Sequence, residues 1–138
     1  MKIIIDSSVW IAGIGSSRGY ASEVIYSSYK KPSVEIFISD QILDEVTVNL
    51  VQKLRFDENL ARKARMIIGN LCDWEVGIGP HETQAVSAIK YQKDKHILAL
   101  CHKIQADYLI TYDRKHLLPL KVFGKTIIVE PKSFVAVE

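Results

Sequence analysis

Short apolar runs alternate with longer amphipathic ones along this chain, and that alternation limits its fold more than any other feature. Lys2–Ile5, residues 34–38, 74–78 and 108–111, and Thr126–Val129 are rich in β-branched and aromatic side chains and are expected as strands. Helical patterns lie between them. Residues 20–29 carry Ala21, Val24, Ile25 and Ser28 at helical spacing, and residues 40–54 repeat Ile42, Leu43, Val46, Leu50, Val51 and Leu54. Glu58–Leu71 sets Leu60, Ala64, Ile67, Ile68 and Leu71 on one face, and residues 94–104 do the same with Ile97, Leu98, Cys101 and Ile104. The first strand is apolar without alternation, which suits a strand covered on both faces. This order predicts an α/β fold: a central parallel sheet of about five strands, flanked by helices and joined by right-handed crossovers. Two consecutive helices between the second and third strands depart from simple alternation.

A length of 138 residues predicts a single domain, with 48% hydrophobic and 25% charged residues placing it among globular rather than disordered chains. No apolar run approaches the ~20 residues that span a bilayer, and the start lacks the pattern of a secretory signal, so a cytoplasmic location is expected. The two cysteines, Cys72 and Cys101, form no CxxC pair and are expected as reduced core thiols. A net charge of +2 is too small to announce a nucleic-acid partner, so any basic surface has to be local.

Several carboxylates stand where an apolar element should continue. "MKIIIDSSVW" runs three isoleucines into Asp6, and "ADYLITYD" runs a second apolar strand into Asp113. Each fits a turn or cap. Each also sits at a strand's carboxyl end, where open α/β sheets place their ligands. If the two strands are neighbours, the acids converge, and a hard cation would neutralise them. Asp94 falls on the stripe of Ile97, Leu98 and Cys101, either as a helix N-cap or facing the same sheet edge. Ser39 is a plausible cap for the helix that contains Asp44 and Glu45, between which periodicity does not choose.

In this order the motifs resemble the PIN-domain family, especially its small single-domain VapC-like toxins. "IIIDSSVWIAG" is similar to the family's opening strand and acid at Asp6, and "ISDQILDEV" to its serine-led helix with the ligand glutamate at Glu45. "KDKHILALCHKIQADYLITYD" is similar to the densest signature, carrying Asp94 and Asp113, and "IVEPKSFVAV" to the closing strand, proline and short helix. The resemblance implies a metal-dependent ribonuclease with Mg²⁺ or Mn²⁺ held by Asp6, Asp113, Asp94 and Glu45. Four acids without a His–Cys cluster agree with a hard, oxygen-seeking ion. Asp6 and Asp113 are expected to hold the metal most directly, with Ser8 and Thr111 orienting the acids. Ser8 stands where the family usually has asparagine. The resemblance further implies a small antitoxin partner and a homodimer.

An acidic pocket repels phosphates, so bases at its rim must attract RNA. Arg114, Lys115 and His116, directly after Asp113, are expected there, whereas Lys53, Arg55, Arg62, Lys63 and Arg65 are expected as a solvated helix face. His81, His96 and His102 are expected as surface histidines. Haloacid-dehalogenase phosphatases and receiver domains also begin with an acid after the first strand. The first would need an Asp in place of Ser8, and the second a phosphorylatable Asp where the chain has Ile38-Ser39. The remaining alternative is a catalytically weak PIN-like module that binds RNA or protein, with Ser8 as its support.

Overall fold

The computed structural model describes residues 1–86 and 92–137, with the backbone alone at 92 and 93. Its strands are β1 (Lys2–Ile5), β2 (Glu35–Ser39), β3 (Trp74–Val76), β4 (Tyr108–Ile110), β5 (Val122–Phe123) and β6 (Thr126–Val129). Its helices are α1 (Ser7–Gly15), α2 (Tyr20–Lys30), α3 (Asp40–Gln52), α4 (Glu58–Leu71), α5 (Pro80–Gln84), α6 (Gln92–Ile104) and α7 (Pro131–Val137). The strands make one sheet in the order β3-β2-β1-β4-β6-β5, six rather than the expected five. All pairs are parallel except β5 with β6. The additional strand, β5, is a two-residue edge that turns back through Gly124, whose φ of 60° suits a residue without Cβ.

β1 lies in the middle, which explains its unbroken apolar run: Ile3, Ile4 and Ile5 are all 0% exposed. Ile3 pairs with Ile36 on one side and Tyr108 on the other. The chain builds β2 and β3 outward from one edge of β1 and β4, β6 and β5 outward from the other. The carboxyl ends of β1 and β4 therefore meet at the point where strand order reverses, the usual place for a ligand crevice.

α1 is not among the helices that the sequence pattern led one to expect, and α4 differs from its expected form. α1 follows β1 without a loop: Asp6 is its N-cap, accepting the Ser7 N–H at 2.8 Å. Val9 and Trp10 then bury against the sheet. In α4, Ala61 and Ile68 are buried, whereas Leu60 and Ile67 are exposed, Ile67 by 59%. The expected stripe is therefore split: Ile68 enters the core and Ala64 and Leu71 pack against it, whereas Leu60 and Ile67 do not. With α1 and α2, α4 borders an open apolar groove of about 680 Å³, lined by Trp10, Ile25, Tyr26, Tyr29, Ile67 and Leu71 among others. The Trp10 indole Nε1 is buried beside this groove without a hydrogen-bond partner. Cys101 is buried and Cys72 half-buried, and burial pushes each thiol up to about 12, so neither is a thiolate at neutral pH. Among the described residues, no helix is long and apolar enough to cross a membrane.

Candidate functional site

Four separate stretches of chain deliver the acids to one cavity of about 190 Å³. Asp6 comes from the end of β1, Glu45 from α3, Asp94 from the first turn of α6 and Asp113 from just beyond β4. Ser7, Ser8 and His96 complete its polar wall, and Ile97 and Leu117 its apolar one. Asp44, beside Glu45, faces away and pairs with Arg65 at 2.8 Å on the surface. The helix register that was silent about Asp44 and Glu45 is resolved by packing: α3 turns Glu45 toward β1.

Asp6 is held by both oxygens. Oδ1 accepts the Ser7 N–H, and Oδ2 accepts the hydroxyls of Thr111 at 2.7 Å and Ser8 at 3.1 Å. The Thr111 hydroxyl also accepts the Asp113 N–H at 3.0 Å, so one side chain ties the two strand-end acids together. Sheet pairing sets the frame for this tie, since the Asp6 N–H donates to the Ile110 carbonyl at 2.9 Å. Ser8 accepts the Tyr112 N–H at 3.1 Å. A hydroxyl at position 8 is thus long enough to reach Asp6 and to anchor the chain after β4.

Asp113 is both turn and wall: its Oδ1 accepts the N–H groups of Lys115 and His116, each at 3.0 Å. Asp94 is buried inside α6's first turn rather than capping the helix. Burial pushes the Asp6 carboxyl above its ordinary value, and the charge of Glu45 adds to this against the three hydrogen bonds. Asp94 is raised first by burial and next by the charge of Asp113. In both, lost hydration and the charge of a neighbouring acid disfavour the ionised form.

Three placements differ from the sequence-based expectation. His96 is not a surface histidine. Its side chain is 15% exposed and its Nε2 contacts Glu45 Oε1. Ser7, which the sequence did not single out, donates its hydroxyl to Glu45 Oε2 at 3.0 Å. His116 turns inward, with Nδ1 3.8 Å from Asp94 Oδ2 and 3.9 Å from Asp113 Oδ2. No helical or strand period could reveal these, because each partner comes from a different element. Next to Asp113 in the chain, Lys115 is exposed and Arg114 lies 3.3 Å from Glu130. His81 and His102 are exposed, as expected.

A mostly parallel sheet with a carboxylate pocket at its switch point has counterparts among known proteins. The family profile of the PIN domain matches residues 2–115, and the chain belongs to the PIN-domain family. Among solved structures it is similar to VapC20 of Mycobacterium tuberculosis, described as a sarcin–ricin-loop-cleaving toxin, with TM-score 0.67 and 19% identity over 89% of this chain and 97% of that one. It is also similar to VapBC2 of Rickettsia felis bound to a promoter DNA fragment, with TM-score 0.69 and 13% identity over 93% and 97% of the two chains. VapBC-1 of nontypeable Haemophilus influenzae gives TM-score 0.68 and 12% identity over 96% and 99%. At these identities the likeness is one of fold. A comparison with curated protein sequences finds no match.

Proposed function

We propose that this PIN-domain protein is an endoribonuclease that hydrolyses RNA phosphodiester bonds as the toxin of a toxin–antitoxin pair. The observation that carries this reading is the convergence of Asp6, Glu45, Asp94 and Asp113 from four segments into one small cavity. The donor set fits a divalent ion of the Mg²⁺ or Mn²⁺ type, since carboxylates are the hard oxygen ligands such ions take. The cavity of about 190 Å³ has room for roughly six waters at ~30 Å³ each, in keeping with ions that retain part of their hydration. When bound, the ion supplies positive charge and a more acidic water.

The chain's own residues do the rest. Asp6 and Asp113 would hold the ion most directly, with Asp94 and Glu45 completing the acidic wall. Thr111 and Ser8 fix the Asp6 carboxylate from one side, while Ser7 and His96 fix Glu45. Preorganised donors of this kind lose little on reaction, because they need no reordering. Arg114 and Lys115 offer positive charge at the rim for RNA phosphates, which would compete with Glu130 for the Arg114 guanidinium.

The partner is proposed to be a small antitoxin whose amphipathic helix lies in the groove between α1, α2 and α4. Three observations favour that occupant. The similar Rickettsia and Haemophilus structures are of VapBC, the groove is lined mainly by apolar side chains, and Trp10 Nε1 beside it lacks an acceptor. A homodimer working in the cytoplasm completes the proposal. The test is RNA cleavage by purified protein with Mn²⁺, with Mg²⁺ and with EDTA. Cleavage is expected only with the ions, and equal cleavage in EDTA would refute the metal-dependent reading.

A further inference from the structure

Carboxylates gathered in one pocket repel the phosphates of an RNA backbone, whereas an uncharged base meets no such repulsion. RNA can therefore be held beside the pocket through its bases, and an exposed aromatic face is what an unpaired base takes. Among the large aromatic side chains at the surface, Tyr26 and Tyr29 line the apolar groove, and Trp74 lies on the edge strand β3. Tyr112 is placed differently. Its N–H donates to Ser8 Oγ at 3.1 Å and it directly precedes Asp113, and both Ser8 and Asp113 line the acid cavity.

The chain is still extended where it leaves β4, because the Thr111 N–H donates to the Val129 carbonyl at 3.0 Å. Successive side chains of an extended chain point to opposite sides. Thr111 turns in, fully buried against Asp6, and Tyr112 turns out, 36% exposed. Its hydroxyl end is held, with the Ala21 N–H and the Glu130 carboxylate beside it. Burial first, and the charge of Glu130 next, raise the phenol above its ordinary value of 10.0, so the ring is uncharged at neutral pH. Arg114, on the other side of Asp113 in the chain, reaches the same carboxylate, 3.3 Å from Glu130 Oε2, with its side chain 78% exposed. A ring anchored at its backbone and near its hydroxyl loses little freedom when a base settles on it.

We infer that Tyr112 is the stacking platform for one unpaired base next to the bond that is cut, which makes single-stranded or looped RNA, rather than duplex, the substrate class. This rests on the proposed nuclease reading and adds to it a specificity-determining residue outside the carboxylate set. A base within a duplex is already stacked and paired, and reaching Tyr112 requires flipping it out, a cost that an unpaired base avoids. Stacking accepts any base, so Tyr112 selects for an unpaired nucleotide rather than for a sequence. Arg114 offers its guanidinium to a phosphate beside that base.

The test is cleavage of a single-stranded RNA oligonucleotide by the full chain with Mn²⁺. The wild-type cut is mapped, and the nucleotide on each side of it is replaced in turn by an abasic ribonucleotide. One of the two replacements is expected to lower wild-type kcat/KM about tenfold or more. Tyr112→Leu is expected to lose about as much on the intact RNA and to be indifferent, within about twofold, to that abasic position. Tyr112→Phe keeps the ring and is expected within about threefold of wild type. The same sequence held in a duplex is expected to be cut at least about tenfold more slowly. Wild type indifferent to both abasic replacements overturns the inference and leaves the nuclease reading standing, and that outcome depends on no variant's folding. Losses that multiply in Tyr112→Leu, a Tyr112→Phe as damaged as Tyr112→Leu, or a duplex cut as fast as the single strand overturn it as well. So does a Tyr112→Leu that cuts like wild type but no longer co-purifies with the co-expressed antitoxin, which would place Tyr112 at a protein interface. Wild type that cuts no RNA at all overturns the nuclease reading together with this one.

Discussion

Changing Asp6 to asparagine separates a carboxylate that serves the fold from one that serves the pocket. Three donors aim at Asp6: the Ser7 N–H at 2.8 Å on Oδ1, and the Thr111 and Ser8 hydroxyls at 2.7 and 3.1 Å on Oδ2. The Ser7 N–H is fixed by the backbone, so the asparagine oxygen must take the Oδ1 position and its NH₂ must face the two hydroxyls. Each hydroxyl already accepts one backbone N–H, from Asp113 and Tyr112, but retains a second lone pair. Reversing both bonds costs about 1 kcal/mol each at most. Removing a buried charge that Glu45 repels works in the other direction. The net change in stability is therefore expected within about 2 kcal/mol, a Tm shift of no more than roughly 7 °C for a domain of this size. Cleavage is expected to fall by at least ~100-fold, equivalent to about 2.7 kcal/mol of barrier. The assay pairs thermal melts with initial rates of RNA cleavage at matched Mn²⁺. A folded Asp6→Asn variant that cleaves within about threefold of wild type would refute the reasoning, because Asp6 would then be a helix cap and nothing more.

The same comparison applies one helix away. Asp44→Asn should cost no more than about 1 kcal/mol, as expected for a surface pair with Arg65, and leave cleavage intact. Glu45→Gln should damage cleavage with little loss of stability, and equal rates for the two variants would contradict the pocket's composition. Ile67→Asp should leave the melt within about 0.5 kcal/mol, because the side chain is exposed, yet prevent co-purification with the co-expressed antitoxin. An undiminished complex would move the docking site elsewhere. Asp107 accepts the Lys2 N–H at 2.8 Å and faces Lys125, and chiefly that backbone bond holds its carboxyl below the ordinary 3.8. A lowered carboxylate stabilises above its unfolded value and loses that contribution as pH falls through the lowered one. Asp107→Asn should therefore melt below wild type at neutral pH and converge with it in acid, and a gap that widens in acid would reverse the sign.

What the sequence disclosed depended on whether the signal was local. The central strand was legible because Ile3, Ile4 and Ile5 meet apolar neighbours on both faces, so no alternation was needed. α4's boundaries were legible for the same reason, as its cap and period lie within one helix. The fate of its apolar face was not, because a period of 3.6 identifies a stripe without saying what covers it. α1 was hidden by Asp6-Ser7-Ser8, a triplet that suits turns, although the aspartate was acting as the helix cap. β5 has two residues and owes its existence to β6. Asp6, Asp94 and Asp113 stood out by their positions at element ends, and Glu45 by resemblance alone. The inward contacts of His96, Ser7 and His116, the last expected only as a rim base, escaped because they depend on what α3, α6 and the turn after β4 bring to them.

The Thr111 hydroxyl that binds Asp6 reaches across 105 residues of chain. At a synthesis rate of about 5–20 residues per second, that separation amounts to roughly 5 to 20 seconds between the first acid and the last. During this interval the growing chain holds Asp6 without Asp113, and the proposed cleavage site is not yet assembled. The groove follows another schedule, since its lining runs from Trp10 to Leu71 and is complete while β4 is still unmade. Translation thus delivers the surface proposed for restraint before the pocket proposed for harm, so that an antitoxin of the proposed kind would meet its chain before that pocket is complete.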